Sequence, residues 1–172
     1  MTLNRLPAIF AVFFFVFIIQ EALLDHINFL VGGFSLYLAF FMAWIMQDER
    51  NSAVTTGFIA GFIADLSPTI EAPFGLWTLV LTGMSFILAT NIRSALDSEL
   101  SPVVMTMVTV AGSSVALLLF LVCGAILGQD VGSASYVAQE IFGNAMWALL
   151  LSPVYVPLTI ALYRATLTAR NR

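Results

Sequence analysis

Long apolar segments separated by short polar breaks dominate this chain. Six such segments can be counted, and they predict helices at roughly 7–24, 29–46, 53–66, 74–92, 102–127 and 136–163. The breaks hold only a few residues each, which leaves no room for a second domain or a flexible linker. The sequence therefore predicts one all-α domain that covers residues 1–172.

The composition changes this picture from a helical domain to a membrane protein. Of the 172 residues, 60% are hydrophobic and only 9% are charged, whereas ordinary soluble domains carry about 25% charged residues. Because about 20 apolar residues span a bilayer, the pattern predicts a polytopic membrane protein with six transmembrane helices. The first segment has no small-residue cleavage site near Glu21 and Asp25, so we expect it to be retained.

The arginines orient the predicted bundle. The chain has no lysine, and its arginines lie at the N-terminus, in the second and fourth breaks, and at the C-terminus: Arg5, Arg50, Arg93, Arg164, Arg170 and Arg172. With six spans these places share one side, and the positive-inside rule puts both termini in the cytoplasm. The other side carries Asp25, His26, Glu71 and Asp130. These acids are either simply tolerated there or belong to an outward site for cationic or polar partners.

The third segment places small residues and one carboxylate at intervals of four. Ala53, Gly57, Gly61 and Asp65 fall on one face of a helix, and a GxxxG spacing lets a neighbouring backbone approach closely. The favoured interpretation is a helix-packing face, with Asp65 capping or bonding to the neighbouring helix. A contact with a ligand or a partner protein through the same face is the alternative.

The short length of this segment predicts a recess. A helix from Asn51 to Asp65 rises about 21 Å against a hydrocarbon core of about 30 Å, so the loop that follows lies at membrane depth. Such backbone is tolerated only where it is buried or lines a wet cavity. We predict an outward-facing recess formed by Asp65, Ser67, Glu71, Gly75, Glu140 and Asn144, the last two sharing a helical face.

The sequence lacks the residue patterns of several well-known catalytic and metal-binding sites. One histidine and one cysteine, His26 and Cys123, give no HExxH motif and no histidine–cysteine metal cluster. Ser85 follows Gly83 without the second glycine of a nucleophile elbow. We expect a protein that is not an enzyme, with no catalytic, cofactor-binding or metal-binding residues.

Two prolines interrupt the sixth segment. Pro153 and Pro157 lie one turn apart, and each removes a backbone donor from the helix. The helix is expected to kink or end near Leu151, with a second piece that runs to Tyr163.

One family carries the same combination of features. The run Gly57–Leu66, followed ten residues after Asp65 by Gly75, resembles the glycine–glycine–aspartate signature of MreD, the rod shape-determining membrane protein of bacterial cell elongation. The small size, six spans, inside termini and short loops are also similar. The chain departs from the family at 31–34, where many members have a proline and this sequence reads Val-Gly-Gly-Phe.

The resemblance implies a non-enzymatic scaffold subunit in the lipid bilayer that couples the cytoskeleton to peptidoglycan synthesis. It implies an MreC-like single-span membrane protein as partner, with MreB, RodA and a class B penicillin-binding protein nearby. It implies no cofactor and no nucleic acid, and it leaves open whether the protein forms a homo-oligomer. It also implies kinship in fold with substrate-binding subunits of energy-coupling-factor transporters.

The alternative function is the substrate-binding subunit of such a vitamin or metabolite importer, although the phenylalanine-rich first segment lacks the small-residue face that those subunits use. A third hypothesis is an intramembrane enzyme that depends on Asp65.

Overall fold

Helices account for nearly all of the regular structure. The computed structural model describes residues 5–24, 27, 32–68, 72–95 and 101–168, and in those residues it contains seven α-helices and no strand. In chain order they are α1 Leu6–Ala22, α2 Leu36–Ile45, α3 Arg50–Ala64, α4 Leu76–Ala95, α5 Pro102–Ile126, α6 Ala134–Leu150 and α7 Ser152–Thr168. The predicted all-α class is confirmed.

The second helix lies at the centre of the bundle. Every residue of α2 after Leu36 is buried, and the helix packs against α1, α3, α5 and α7. It begins after Ser35, whose hydroxyl accepts the Leu38 N–H, the usual role of serine at a helix start. The predicted helix from residue 29 is too long, because 32–35 are not helical; residues 28–31 lie outside the described residues.

Aromatic packing joins α1 to α2. The Phe13 ring is fully buried and meets the rings of Tyr37, Phe40, Phe41 and Trp44 at centroid distances of 5.5–6.2 Å, each in an edge-to-face arrangement. Such pairs contribute about 0.5–1.5 kcal/mol beyond the area they bury. One face of the phenylalanine-rich helix α1 therefore packs into the hydrophobic core.

A second hydrophobic cluster lies on the opposite face of α2. It joins Ala39 and Ala43 of α2 to Met105 of α5, Ala148 of α6 and Tyr155 of α7. The small side chains of α2 on this face allow α5 and α7 to approach closely. Helix α2 is thereby buried between two layers of helices.

The sixth apolar segment folds as two helices. Helix α6 ends at Leu150, α7 starts at Ser152, and the two axes differ by 71°. Pro153 lies in the first turn of α7, where its missing N–H costs little, and Pro157 lies inside that helix. The break predicted near Leu151 is confirmed.

The helices differ in their capacity to cross a membrane. Among the described residues, α5 is long and apolar enough to do so alone, and α6 with α7 passes the same criterion as one bent pair. Helices α1 and α2 and the stretch Leu76–Thr90 of α4 are apolar but shorter, at 10–17 residues.

Candidate functional site

The carboxylate of Asp65 caps the start of α4. Its Oδ1 accepts the backbone N–H of Trp77 at 2.9 Å, and its Oδ2 accepts the Thr78 N–H at 3.0 Å and the Thr78 hydroxyl at 2.5 Å. The first N–H groups of a helix have no partner inside it, and a negative charge near them is favoured by the helix dipole. Asp65 thus caps a helix that begins eleven residues later in the chain.

Gly75 explains why this cap comes from a distant residue. It immediately precedes α4, its carbonyl accepts the Leu79 N–H at 2.9 Å, and its φ is +99°. That left-handed conformation favours glycine, which has no side chain with which to cap the helix. Asp65 supplies the missing acceptor.

The glycine face of α3 packs against α4. A Cβ on Gly57 would overlap the Ser85 side chain and lie 2.8 Å from the Leu81 carbonyl oxygen; a Cβ on Gly61 would overlap the backbone of Thr78. Ala53, at the start of the same face, is fully buried. The face is occupied by a helix of the same chain, so a separate partner would have to displace α4 to reach it.

A recess of about 500 Å³ opens at the end of the bundle where α1, α3 and α5 finish. Its lining residues are Phe17, Gln20, Glu21, Ser35, Tyr37, Leu38, Ala64, Ser67, Trp77, Leu117, Phe120, Leu121, Tyr136, Val137 and Glu140. Two members of the predicted recess, Ser67 and Glu140, therefore lie in it. Asp65, Gly75 and Asn144 are not among its lining residues, and Glu71 is outside the described residues.

Glu140 and Asn144 hold the segment that leads into α2. Oε2 of Glu140 accepts the Gly33 N–H at 3.0 Å, and Oδ1 of Asn144 accepts the Ser35 N–H at 2.9 Å. Asn144 also donates to Ser113 Oγ at 3.2 Å, which uses both ends of its buried amide. The two residues share a face of α6 as the spacing predicts, and they use it for the chain's own backbone.

Two residues at the end of α1 complete the polar part of the recess. Glu21 Oε1 accepts the Ser67 hydroxyl at 2.6 Å, and Gln20 bridges the Phe34 carbonyl and the Tyr37 N–H at 3.3 and 3.4 Å. Sequence reasoning left both out of the recess. Their position at the end of an apolar helix gave no signal, because polar residues are common wherever a membrane helix meets water.

Aromatic rings form much of the recess wall. The ring of Trp77 stacks on that of Phe120 at a centroid distance of 4.1 Å, with 12° between the planes. Trp77 is 7% exposed, and its buried indole N–H has no acceptor among the described residues. Phe17, Tyr37 and Tyr136 add further rings.

A buried charge pair lies at the other end of the bundle. Arg5 Nη1 is 2.9 Å from Asp48 Oδ1, and the Asp48 side chain is fully buried. Asp48 also accepts the hydroxyls of Ser52 at 3.2 Å and Thr56 at 2.8 Å. The Arg5 guanidinium lies 4.7 Å from the centroid of the Tyr163 ring. Sequence reasoning missed this cluster, although Asp48, Ser52 and Thr56 follow each other at intervals of four.

The described residues contain no group of three or more histidine, cysteine, aspartate or glutamate side chains that could hold a metal ion. Comparison with protein-family models, with curated proteins and with solved structures finds no match to this chain. Its function is therefore argued from its own residues.

Proposed function

We propose that this chain is a non-enzymatic, six-span subunit of a bacterial inner-membrane assembly, similar in role to MreD, that binds the transmembrane helix of an MreC-like partner. The observation that carries this proposal is the outward surface of the helices. Within the most apolar window of α5 only 28% of residues are buried. A helix so apolar needs lipid or another helix against its outer face.

The outer faces of other helices support the same proposal. Large apolar side chains are exposed on α1, α6 and α7 as well as on α5, among them Phe15, Phe142, Val154 and Ile126. By contrast, Asp65, Glu140 and Asn144 direct their polar atoms at the chain itself. The polar residues stabilise the bundle, and the apolar exterior is what remains for lipid and protein partners.

The residues that carry the resemblance to MreD belong to one structural unit. Gly57 and Gly61 allow α3 to approach α4, Asp65 caps α4, and Gly75 forms the turn before it. The signature therefore describes how a helical hairpin closes, which suits a scaffold better than a catalytic site.

The placement of charge supports the proposed orientation. Arg5 lies beside the break between α2 and α3, at the opposite end of the bundle from Glu21 and Glu140. With α6 and α7 crossing the bilayer as one bent span, the start of α1 and the end of α7 lie on the same side as Arg5, which the positive-inside rule assigns to the cytoplasm.

Photocrosslinking in a rod-shaped host tests this function. A photoreactive phenylalanine is placed at Phe15, Val122 or Val154, which are 63%, 47% and 67% exposed, and at the fully buried Phe41 as the matched control. We expect an adduct with the MreC-like protein from at least one exposed position and none from Phe41. The absence of adducts from all of them, together with unchanged cell width and elongation on depletion, would contradict the proposal.

The second candidate function is the substrate-binding subunit of a vitamin or metabolite importer. The recess favours it, because about 500 Å³ lies within the usual range of ligand pockets. Native mass spectrometry of the purified chain distinguishes the two functions: a tightly held metabolite, with a transporter ATPase encoded nearby, would support the importer. An adjacent MreC-like gene would support the scaffold.

A further inference from the structure

The recess combines two carboxylates with aromatic walls. Glu21 and Glu140 contribute from α1 and α6, and each accepts one hydrogen bond from the described residues through a single oxygen. A carboxylate accepts about four hydrogen bonds, so both retain capacity toward the recess. Among the residues that the structure describes, the lining contains no arginine, lysine or histidine to neutralise them.

Three neutral polar groups of the lining are already committed to the protein. The Tyr37 hydroxyl donates to the Ala60 carbonyl at 2.7 Å, the Ser35 hydroxyl caps α2, and the Gln20 amide holds the start of the same helix. What the recess offers to a ligand is therefore mainly negative charge and the faces of aromatic rings. Both attract cations, the rings through their quadrupole.

We propose that the recess binds a small organic cation, an amine or quaternary ammonium with an apolar body. The apolar walls and the volume of about 500 Å³ suit an organic molecule better than a bare metal ion, which prefers a compact shell of oxygen atoms. This inference goes beyond the scaffold function and does not depend on it.

Calorimetric titration of the purified full chain in a neutral maltoside detergent tests the proposal. The probe is benzyltrimethylammonium, and benzenesulfonate is the anion of matched ring size. We expect saturable binding of the cation and none of the anion. The variants Glu21→Gln and Glu140→Gln keep an oxygen for Ser67 and Gly33, so they should fold, and each should weaken binding of the cation about tenfold.

Glu49→Gln is the matched control, because it removes one negative charge from an exposed residue at the start of α3, away from the recess. Its affinity for the cation should stay within about twofold of the unmodified chain.

Phe120→Leu, which removes an aromatic face and keeps an apolar wall, should weaken cation binding severalfold. Absence of saturable cation binding, equal binding of the sulfonate, or an equal loss in Glu49→Gln would each overturn the proposal.

Discussion

Thr78 donates two hydrogen bonds to Asp65, one from its backbone N–H at 3.0 Å and one from its hydroxyl at 2.5 Å, and both end on Oδ2. Together with the Trp77 N–H on Oδ1, they make Asp65, the residue that follows α3, the cap of α4. The hairpin of α3 and α4 is thus closed by a carboxylate at one end and by glycine contacts along its length.

Removing this cap should destabilise the protein. Asp65→Ala leaves two N–H groups of α4 without an acceptor, and we expect the free energy of unfolding to fall by about 2 kcal/mol. Asp65→Asn keeps one carboxamide oxygen and should lose less. Unfolding in detergent, followed by circular dichroism, measures both. The sequence also predicts a larger loss for Asp65→Ala than for Glu71→Ala, and equal, small losses would contradict the role given to Asp65.

The glycine contacts give a second prediction with an internal control. Gly61→Ala places a Cβ against the Thr78 backbone, which cannot move as a side chain can, and should cost about 1–3 kcal/mol of stability. Gly83 lies in α4 with no atom within 4 Å of its added Cβ. Gly83→Ala should therefore be neutral or stabilise by up to about 1 kcal/mol. If the two variants had the same midpoint of unfolding, the close packing of α3 on α4 would be refuted.

The buried amide of Asn144 is expected to be costly to lose. Asn144→Leu keeps the size of the side chain but leaves the Ser35 N–H and Ser113 hydroxyl without this partner, at a cost of about 2 kcal/mol or more. Gln139→Leu makes the same kind of change at an exposed position one turn earlier and should change stability by less than about 0.5 kcal/mol. Thermal unfolding of the two variants in the same detergent compares them, and similar midpoints would argue against the Asn144 network.

The Arg5–Asp48 pair should behave as a coupled unit. Arg5→Met removes the cation that faces a buried carboxylate, and we expect a loss of about 3 kcal/mol. Arg5→Met combined with Asp48→Asn should recover much of that loss, because no buried charge remains. A double-mutant cycle measures the coupling.

Arg50→Met is the control for this cycle. Arg50 is exposed and lies over the Phe86 ring at 4.9 Å, so its removal should change stability little. Additive effects in the Arg5–Asp48 cycle would show that the two residues do not interact in the folded protein.

The sequence predicted the helical class, the packing face of α3 and the break at Leu151, because each depends on a local pattern. Periodicity, spacing and proline chemistry are all readable within about twenty residues. The residues predicted to form the recess only partly match the residues that line the observed cavity, because position along the chain does not show where a side chain points. Asp65 turns toward α4, and Asn144 turns toward the start of α2.

The same limit explains what was missed. Glu21 reaches Ser67 across 46 positions of the chain, and Arg5 reaches Asp48 across 43. Such pairs depend on how helices are arranged in space, and local patterns along the sequence do not show that arrangement.

The central position of α2 has a consequence for how the protein is made. Glu140 and Asn144 hold the segment that leads into α2, and the carbonyl of Gln47, just after the end of α2, accepts the Tyr163 hydroxyl at 2.8 Å. Each of these partners is synthesised more than a hundred residues after the group that it binds. The segments on either side of α2 can therefore form these hydrogen bonds only after the C-terminal third of the chain has been synthesised.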